Sequence, residues 1–387
     1  MSVGAPRTVL HVVGSMDRGG ALLRTVELMR RLDPDEFRLV FCALAGEPGP
    51  LDDEIRSLGG DVYHCRPGPT FPLIFTRLMR RLRPSVVHVS VATSSGTVLA
   101  LARVAGVPRR VAYFHTGEDR RRTGPAGERL ARAVDRGLIN AGATDLVAVC
   151  EAAMRGLWRS QWRVDPRCRV IYDGLAVEPF GVAIAARRRA LETAPVGAVD
   201  PITLVHVGRP GMNENRVRAV EVLAALRTRG VDARLQIIGR HEAVETTQLL
   251  SLAARRDVRD RVALLGERDD IPRLLVAASL LLLTSQHESL PDAVLEACAV
   301  GTPVLSCDLA GVGEISRLLP GITMLPLSAA EEIWADSARA LTSVPLSLDD
   351  RRAALRHFVR SPFTMENWQR ELTAVWSERV AAALPAR

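Results

Sequence analysis

LLLLTSQHESLPDAVLEACAVGTPVLSC, residues 280–307, decides the fold. Its ends, LLLLTS (280–285) and PVLSC (303–307), are short apolar runs of the kind that form buried strands. Between them Pro291 suits the first turn of a helix and Gly301 its C-terminal cap. Strand, polar turn, helix and strand in so short a space make a parallel βαβ unit. Glu288 precedes the helix and Glu296 lies in its second turn, eight residues on. One carboxylate at the positive end of a helix is an ordinary helix-end residue. Two of them, with the amides of Ser289 and Leu290 close by, make a site that takes a diphosphate on the helix end and a vicinal diol on the carboxylates.

The same rhythm fills the chain. β-branched runs at 8–14, 37–44, 61–65, 85–90, 109–115, 145–149 and 169–172 alternate with helical stretches such as 20–32 and 126–140. The segment 181–200 breaks the rhythm, and strands at 202–208, 233–239, 261–266, 280–285 and 303–307 follow. The expected organisation is an N-terminal Rossmann-like domain over 1–182, a linker over 183–200, a C-terminal Rossmann-like domain over 201–362, and a last helix over 363–387 that packs back on the N-terminal domain. Two such domains place a cleft between them, with ligands at the carboxyl ends of the strands.

Composition narrows the partners. The 387 residues are 47% apolar and 25% charged, as in globular proteins that fold in water. The N-terminal MSVGAPRTVLHVVG lacks the basic start and long apolar core of a signal peptide, and the apolar run at 274–283 is too short to span a bilayer. The expectation is a cytoplasmic protein, with the inner face of the membrane as an alternative address. Cys42, Cys65, Cys150, Cys168, Cys298 and Cys307 form no C-x-x-C pair and read as buried free thiols. All 51 basic residues are arginine, which excludes a P-loop lysine and a lysine Schiff base. With 4% aromatic residues and arginines spread along the chain, the net charge of +7 does not read as a nucleic-acid surface.

Other strand ends carry matching chemistry. The first strand runs into GSMDRGGA (14–21), where Gly19 and Gly20 open a helix and let the backbone approach a ligand; a plain turn is the alternative. In HVGRPGMNENR (206–216), Arg209 follows Gly208 at a strand end, where a guanidinium forks onto phosphate oxygens unless it is a lone surface arginine.

The set resembles the retaining glycosyltransferases of family 4, which have the two-Rossmann GT-B fold. The resemblance spans nearly the whole chain: the glycine pair at 19–20, VVHVSVATSSG (86–96), DLVAVCEA (145–152), VIYDG (170–174), HVGR (206–209) and ESLPDAVLEACAVGTPV (288–304), whose two glutamates match the E-x7-E signature. It implies that Glu288 contacts hydroxyls of a donor sugar and Glu296 the ribose of its nucleotide. It implies that Arg209 and the amides of Ser289 and Leu290 hold the diphosphate, that Gly19 and Gly20 close over it, and that Gly266, Glu267 and Arg268 meet the base. His115 matches a histidine placed near the reacting carbon. The implied reaction is transfer of a hexosyl group from a nucleoside-diphosphate sugar, with uridine the commonest base, to a hydroxyl acceptor. It proceeds with retention by same-face displacement and calls for no cofactor and no metal. A sugar-nucleotide epimerase of the same architecture and a non-catalytic sugar-nucleotide-binding protein are the alternatives.

The chain departs from the family at three positions. Glu214 stands where a lysine is usual, so that Arg216 or Arg218 would have to replace its charge. Ser289 stands for a glycine, and Asp173 for the asparagine of an NG turn. Three further stretches stay ambiguous. Asp33 and Asp35 have D-x-D spacing but fall between a helix end and the start of a strand, away from the cleft. FPLIFTRLMRRLRP (71–84) is a basic amphipathic helix, either a peripheral membrane contact or a crossover helix. GEDRRRTG (117–124) reads as an acceptor-side loop or as solvated surface.

Overall fold

A computed structural model describes residues 5–91, 94–115, 126–192, 201–211 and 213–378. Among these, seven strands form one parallel sheet: β1 Arg7–Val13, β2 Phe37–Ala43, β3 Asp61–His64, β4 Val86–Val89, β5 Arg109–Phe114, β6 Asp145–Ala148 and β7 Cys168–Val170. Six more form a second: β8 Ile202–Val207, β9 Ala233–Ile238, β10 Val262–Gly266, β11 Leu280–Leu283, β12 Val304–Cys307 and β13 Ile322–Leu325. The orders are β3-β2-β1-β4-β5-β6-β7 and β10-β9-β8-β11-β12-β13. Both sheets are doubly wound, and in both the strand order reverses between the first and fourth strands. That reversal leaves a crevice at the carboxyl ends of β1 and β4, and another at those of β8 and β11.

The sequence accounts for this pattern residue by residue. Strands β4, β6, β11 and β12 are buried at every position, as strands covered on both faces must be. β13 is an addition to the expected strands. Its four residues, Ile322–Leu325, are half-buried at the sheet edge.

The chain divides into two compact units, Met1–Gly174 with Met365–Arg387, and Leu175–Thr364. Residues expected to begin a linker belong instead to a helix, Glu178–Glu192, which buries Phe180, Ala183 and Ile184 within the second unit. The remainder of the expected linker, 193–200, lies outside the described residues. The helix Met365–Ser377 belongs to the first unit, where Trp368 and Trp376 are buried.

The ambiguous stretches take definite local form. Helix Phe71–Leu82 turns Phe71, Phe75, Leu78 and Met79 inward, as a crossover helix does, and leaves Leu73 and Ile74 exposed. Asp33 accepts a hydrogen bond from the amide of Asp35 at 2.9 Å and so closes a turn. The loop 117–124 lies outside the described residues. Among the described residues no helix is long and apolar enough to cross a membrane, and the six cysteines are free.

Candidate functional site

In the second unit the loops after β8 and β11 meet, because these strands are neighbours, pairing Leu204 with Leu280 and Val205 with Leu281. Hydrogen bonds tie the loops together. The Gln286 amide donates to Asn213 O at 2.6 Å, Thr284 Oγ1 donates to Asn215 O at 2.9 Å, and Ser285 Oγ donates to Glu214 Oε2 at 3.0 Å. Asn215 takes a left-handed backbone (φ 48°), which asparagine tolerates, and so turns the chain into helix Arg216–Thr228. Behind the loops His206 is wholly buried, its Nε2 3.2 Å from both Thr284 Oγ1 and Glu214 O. Burial, followed by the Arg216 charge, lowers its pKa to about 4, so it remains neutral.

The carboxyl of Glu214, where the resemblance leads one to expect a cation, is held inward and hydrogen-bonded to Glu288 as well as to Ser285. Burial is the main cause that raises both acids. Glu288 goes from the usual 4.5 to about 8, with the Glu214 charge next in weight and Asp292 after it. Ser285 and Arg209 oppose the rise on both. Two carboxyls in hydrogen-bond contact cannot both ionise cheaply, and this contact adds to burial in raising Glu288. Arg209 itself is exposed at the mouth of the turn.

Arg216, expected as a donor ligand, is turned the other way. Its side chain is 0% exposed and binds Gly208 O, Arg240 O at 3.2 Å and Glu245 Oε2 at 3.1 Å. Gly239 makes room for this guanidinium: a Cβ there would stand 2.0 Å from Gly208 O. Arg218 is likewise engaged, with Ala329 O and, at 2.5 Å, Glu331 Oε1. Both guanidiniums are thus engaged within the protein, and Arg216 bonds the backbone of Gly208, next to Arg209.

Glu288, Ser289 and Leu290 lead into helix Asp292–Ala299, with Pro291 as N-cap and Glu296, half-buried, in the second turn. The 288–290 segment rests against Gly311, where a Cβ would stand 1.5 Å from Ser289 O. Gly266 ends β10 at φ 72°; its amide donates to His241 Nε2 at 2.9 Å and its carbonyl accepts from the Gly239 amide. Glu267 and Arg268 are exposed beside it, Arg268 paired with Asp270 at 2.8 Å.

In the first unit Gly19 is the N-cap of helix Gly20–Met29 and its amide donates to Asp17 O. His115 directly follows β5, with Nδ1 3.4 Å from Asp173 Oδ2. The other oxygen of Asp173 accepts from Tyr113 Oη at 2.6 Å, and Tyr113 Oη accepts from Trp368 Nε1 at 3.1 Å. His115, Tyr113 and Phe114 line a cavity of about 820 Å³ with Leu130, Val134 and Ser95, mainly apolar but with the charged Glu128, Arg132, Asp135 and Arg136 also on its wall.

Several of these residues were not singled out from the sequence. Gly239 and Gly311 sit in unremarkable contexts, and only close backbone approach marks them. Ser285 reads as a strand end, and Glu245, which anchors Arg216, comes from a helix far along the chain. The Tyr113–Asp173–Trp368 connection joins residues up to 255 positions apart.

With this geometry in hand, the comparisons are specific. The family model "Glycosyltransferase Family 4" matches residues 18–178, and "Glycosyl transferases group 1" matches 192–319. EpsF of Bacillus subtilis, a glycosyltransferase by name, is 30% identical over 86% of this chain and 88% of its own length. CapH of Staphylococcus aureus, named as a capsular polysaccharide biosynthesis glycosyltransferase, is 24% identical over 87% of this chain and 90% of its own. Among solved structures, Anabaena HepE in complex with UDP and glucose superposes with a TM-score of 0.75 at 17% identity, covering 96% of this chain and 99% of that one.

Proposed function

The chain belongs to the group 1, family 4 glycosyltransferases and has their GT-B fold, and from this premise we propose that it transfers a hexosyl group from a UDP-linked donor to a saccharide hydroxyl. The observation that carries the reading is the pairing of the β8 and β11 loops at the switch point of the second sheet, with Glu288 and Glu296 flanking one helix start. Glu296 takes the ribose hydroxyls and Glu288 those of the sugar. Arg209 and the backbone at Ser289 and Leu290 take the diphosphate. Gly266 to Arg268 receive the base.

Arg216 acts as a positioning residue by holding Gly208 and Arg240. A proton held between Glu214 and Glu288 would lower the charge of the pair from two negatives to one, reduce repulsion of the diphosphate and offer an O–H to a sugar hydroxyl.

Retention follows in this reading from same-face displacement. The acceptor oxygen bonds the anomeric carbon on the face that the nucleoside diphosphate leaves. The leaving diphosphate departs with the bonding pair, stabilised by arginine and the helix end, and takes up the acceptor proton. Positive charge from these groups makes a metal-independent reaction the expected one. The saccharide acceptor is supported by the named role of CapH and by the hydroxyl-bearing cavity of the first unit. Peripheral membrane attachment through helix Phe71–Leu82 would use its outward Leu73 and Ile74. A thermal-shift screen of nucleotide sugars tests the donor assignment: UDP-sugars should raise the melting temperature by mass action, and a response confined to other bases would overturn it.

A further inference from the structure

Asp173 stands at the end of β7's loop where the resemblance leads one to expect asparagine, and its surroundings decide what that change does. The indole N–H of Trp368 can only donate, so Tyr113 Oη accepts from it at 3.1 Å and must send its own proton onward to Asp173 Oδ1 at 2.6 Å. Oδ1 is thereby committed. The second oxygen, Oδ2, lies 3.4 Å from His115 Nδ1. An aspartate offers only acceptors, so the neighbouring ring nitrogen is favoured as N–H. An asparagine held in the same way, with its oxygen toward Tyr113, would turn its NH₂ toward Nδ1 and favour the opposite tautomer.

We propose that Asp173 positions His115 in the Nδ1–H form, so that Nε2 is presented to the cavity of the first unit as a hydrogen-bond acceptor for a saccharide hydroxyl. The hydroxyl ligand rests on the transferase reading given above; the tautomer does not. Tyr113 and His115 are in edge contact, with ring centroids 4.6 Å apart, which limits how far the imidazole turns. Glu128, Arg132, Asp135 and Arg136 line the cavity on its far elements, while the titratable groups packed behind Tyr113 carry no charge. His88, at 4.8 Å from Tyr113, is held well below its usual range by burial, and His11, stacked on His88 at 4.5 Å, is lowered to about 3 by burial. Tyr113 keeps its proton, raised first by burial and then by the Asp173 charge. Trp376 Nε1 donates to His88 Nδ1 at 3.3 Å, which fixes that ring as an acceptor on this side.

The test is nitrogen NMR on the full chain labelled with ¹⁵N-histidine, with the His115 resonances assigned by their loss in His115→Gln. Wild type should show a protonated Nδ1 and an unprotonated Nε2 above the imidazole titration. Asp173→Asn should reverse the two. Tyr113→Phe combined with Asp173→Asn frees the amide to turn its oxygen to His115 and should restore the wild-type pattern, a rescue that a packing role would not produce. A wild-type Nε2–H pattern, an imidazolium persisting to high pH, or an unchanged pattern in Asp173→Asn would each overturn the assignment. Glucose, titrated as a hydroxyl probe, should shift the wild-type Nε2 resonance more than that of Asp173→Asn. No shift in either removes the hydroxyl ligand and leaves the tautomer standing, which separates this failure from failure of the donor assignment.

Discussion

The carboxyl ends of the two sheets use buried acids in opposite ways. In the first unit Asp173 faces a phenol and an imidazole, both able to donate, and a tryptophan N–H completes the chain of donors behind it. In the second, Glu214 and Glu288 face each other, with one serine hydroxyl beside them and a single exposed arginine nearby. One network is balanced before any ligand arrives. The other holds two acids in hydrogen-bond contact and gains when an incoming group supplies donors or positive charge. A satisfied network orients a side chain, whereas an unbalanced one reserves interaction energy for binding.

The contrast breaks most visibly through the residue behind the unbalanced loops. Arg216→Ala should destabilise the second unit by about 3–5 kcal/mol, because Gly208 O, Arg240 O and Glu245 lose a buried charged partner. Denaturant unfolding would register this as a lower midpoint with an unchanged slope. Tyr113→Phe, in the balanced network, should cost about 1–3 kcal/mol, since both Trp368 Nε1 and Asp173 Oδ1 lose a partner. Near-zero loss in chemical denaturation would show that water fills the place and that the network is not what holds Asp173.

A pH series sharpens the contrast. Glu288 has a folded pKa raised to about 8 from the usual 4.5, so between those values the folded state binds more protons than the unfolded. Its stabilising contribution is therefore complete below about pH 4.5 and lost as pH rises through 8. The ligand-free second unit should lose up to about 5 kcal/mol across that window, at about 1.4 kcal/mol for each pH unit. Glu214→Gln removes the partner's charge and should flatten this slope. A slope that rises with pH, or one that Glu214→Gln leaves untouched, would show that the two acids do not share a proton. A smaller effect is expected from Glu214→Lys: several-fold tighter UDP binding, largest at low salt, because the added charge lies near exposed Arg209.

Much of this was legible in advance, and the reasons are physical. Parallel strands covered on both faces, such as β4, β6, β11 and β12, leave continuous apolar runs that can be read from sequence, whereas the edge strand β13 was not read. Glu288, Glu296 and Arg209 could be placed at strand-to-helix turns because glycine and proline mark those turns in the sequence. Side-chain direction was not. Arg216 and Arg209 look alike in HVGRPGMNENR, yet one guanidinium is sealed under Gly208 and Gly239 while the other is exposed. The difference is set by Glu245 and by the missing Cβ at Gly239, contributed by segments more than twenty residues away.

The central proposal, that the β8 and β11 loops form the nucleotide site, is tested most directly by calorimetric titration of UDP into wild type, Arg209→Ala and Glu296→Ala. UDP should bind the wild type, and each substitution should weaken binding by about 1–3 kcal/mol, roughly fivefold to more than a hundredfold, as phosphate or ribose hydroxyls lose their partners. Equal affinity across all three proteins would contradict it, and would place the nucleotide away from Arg209 and Glu296.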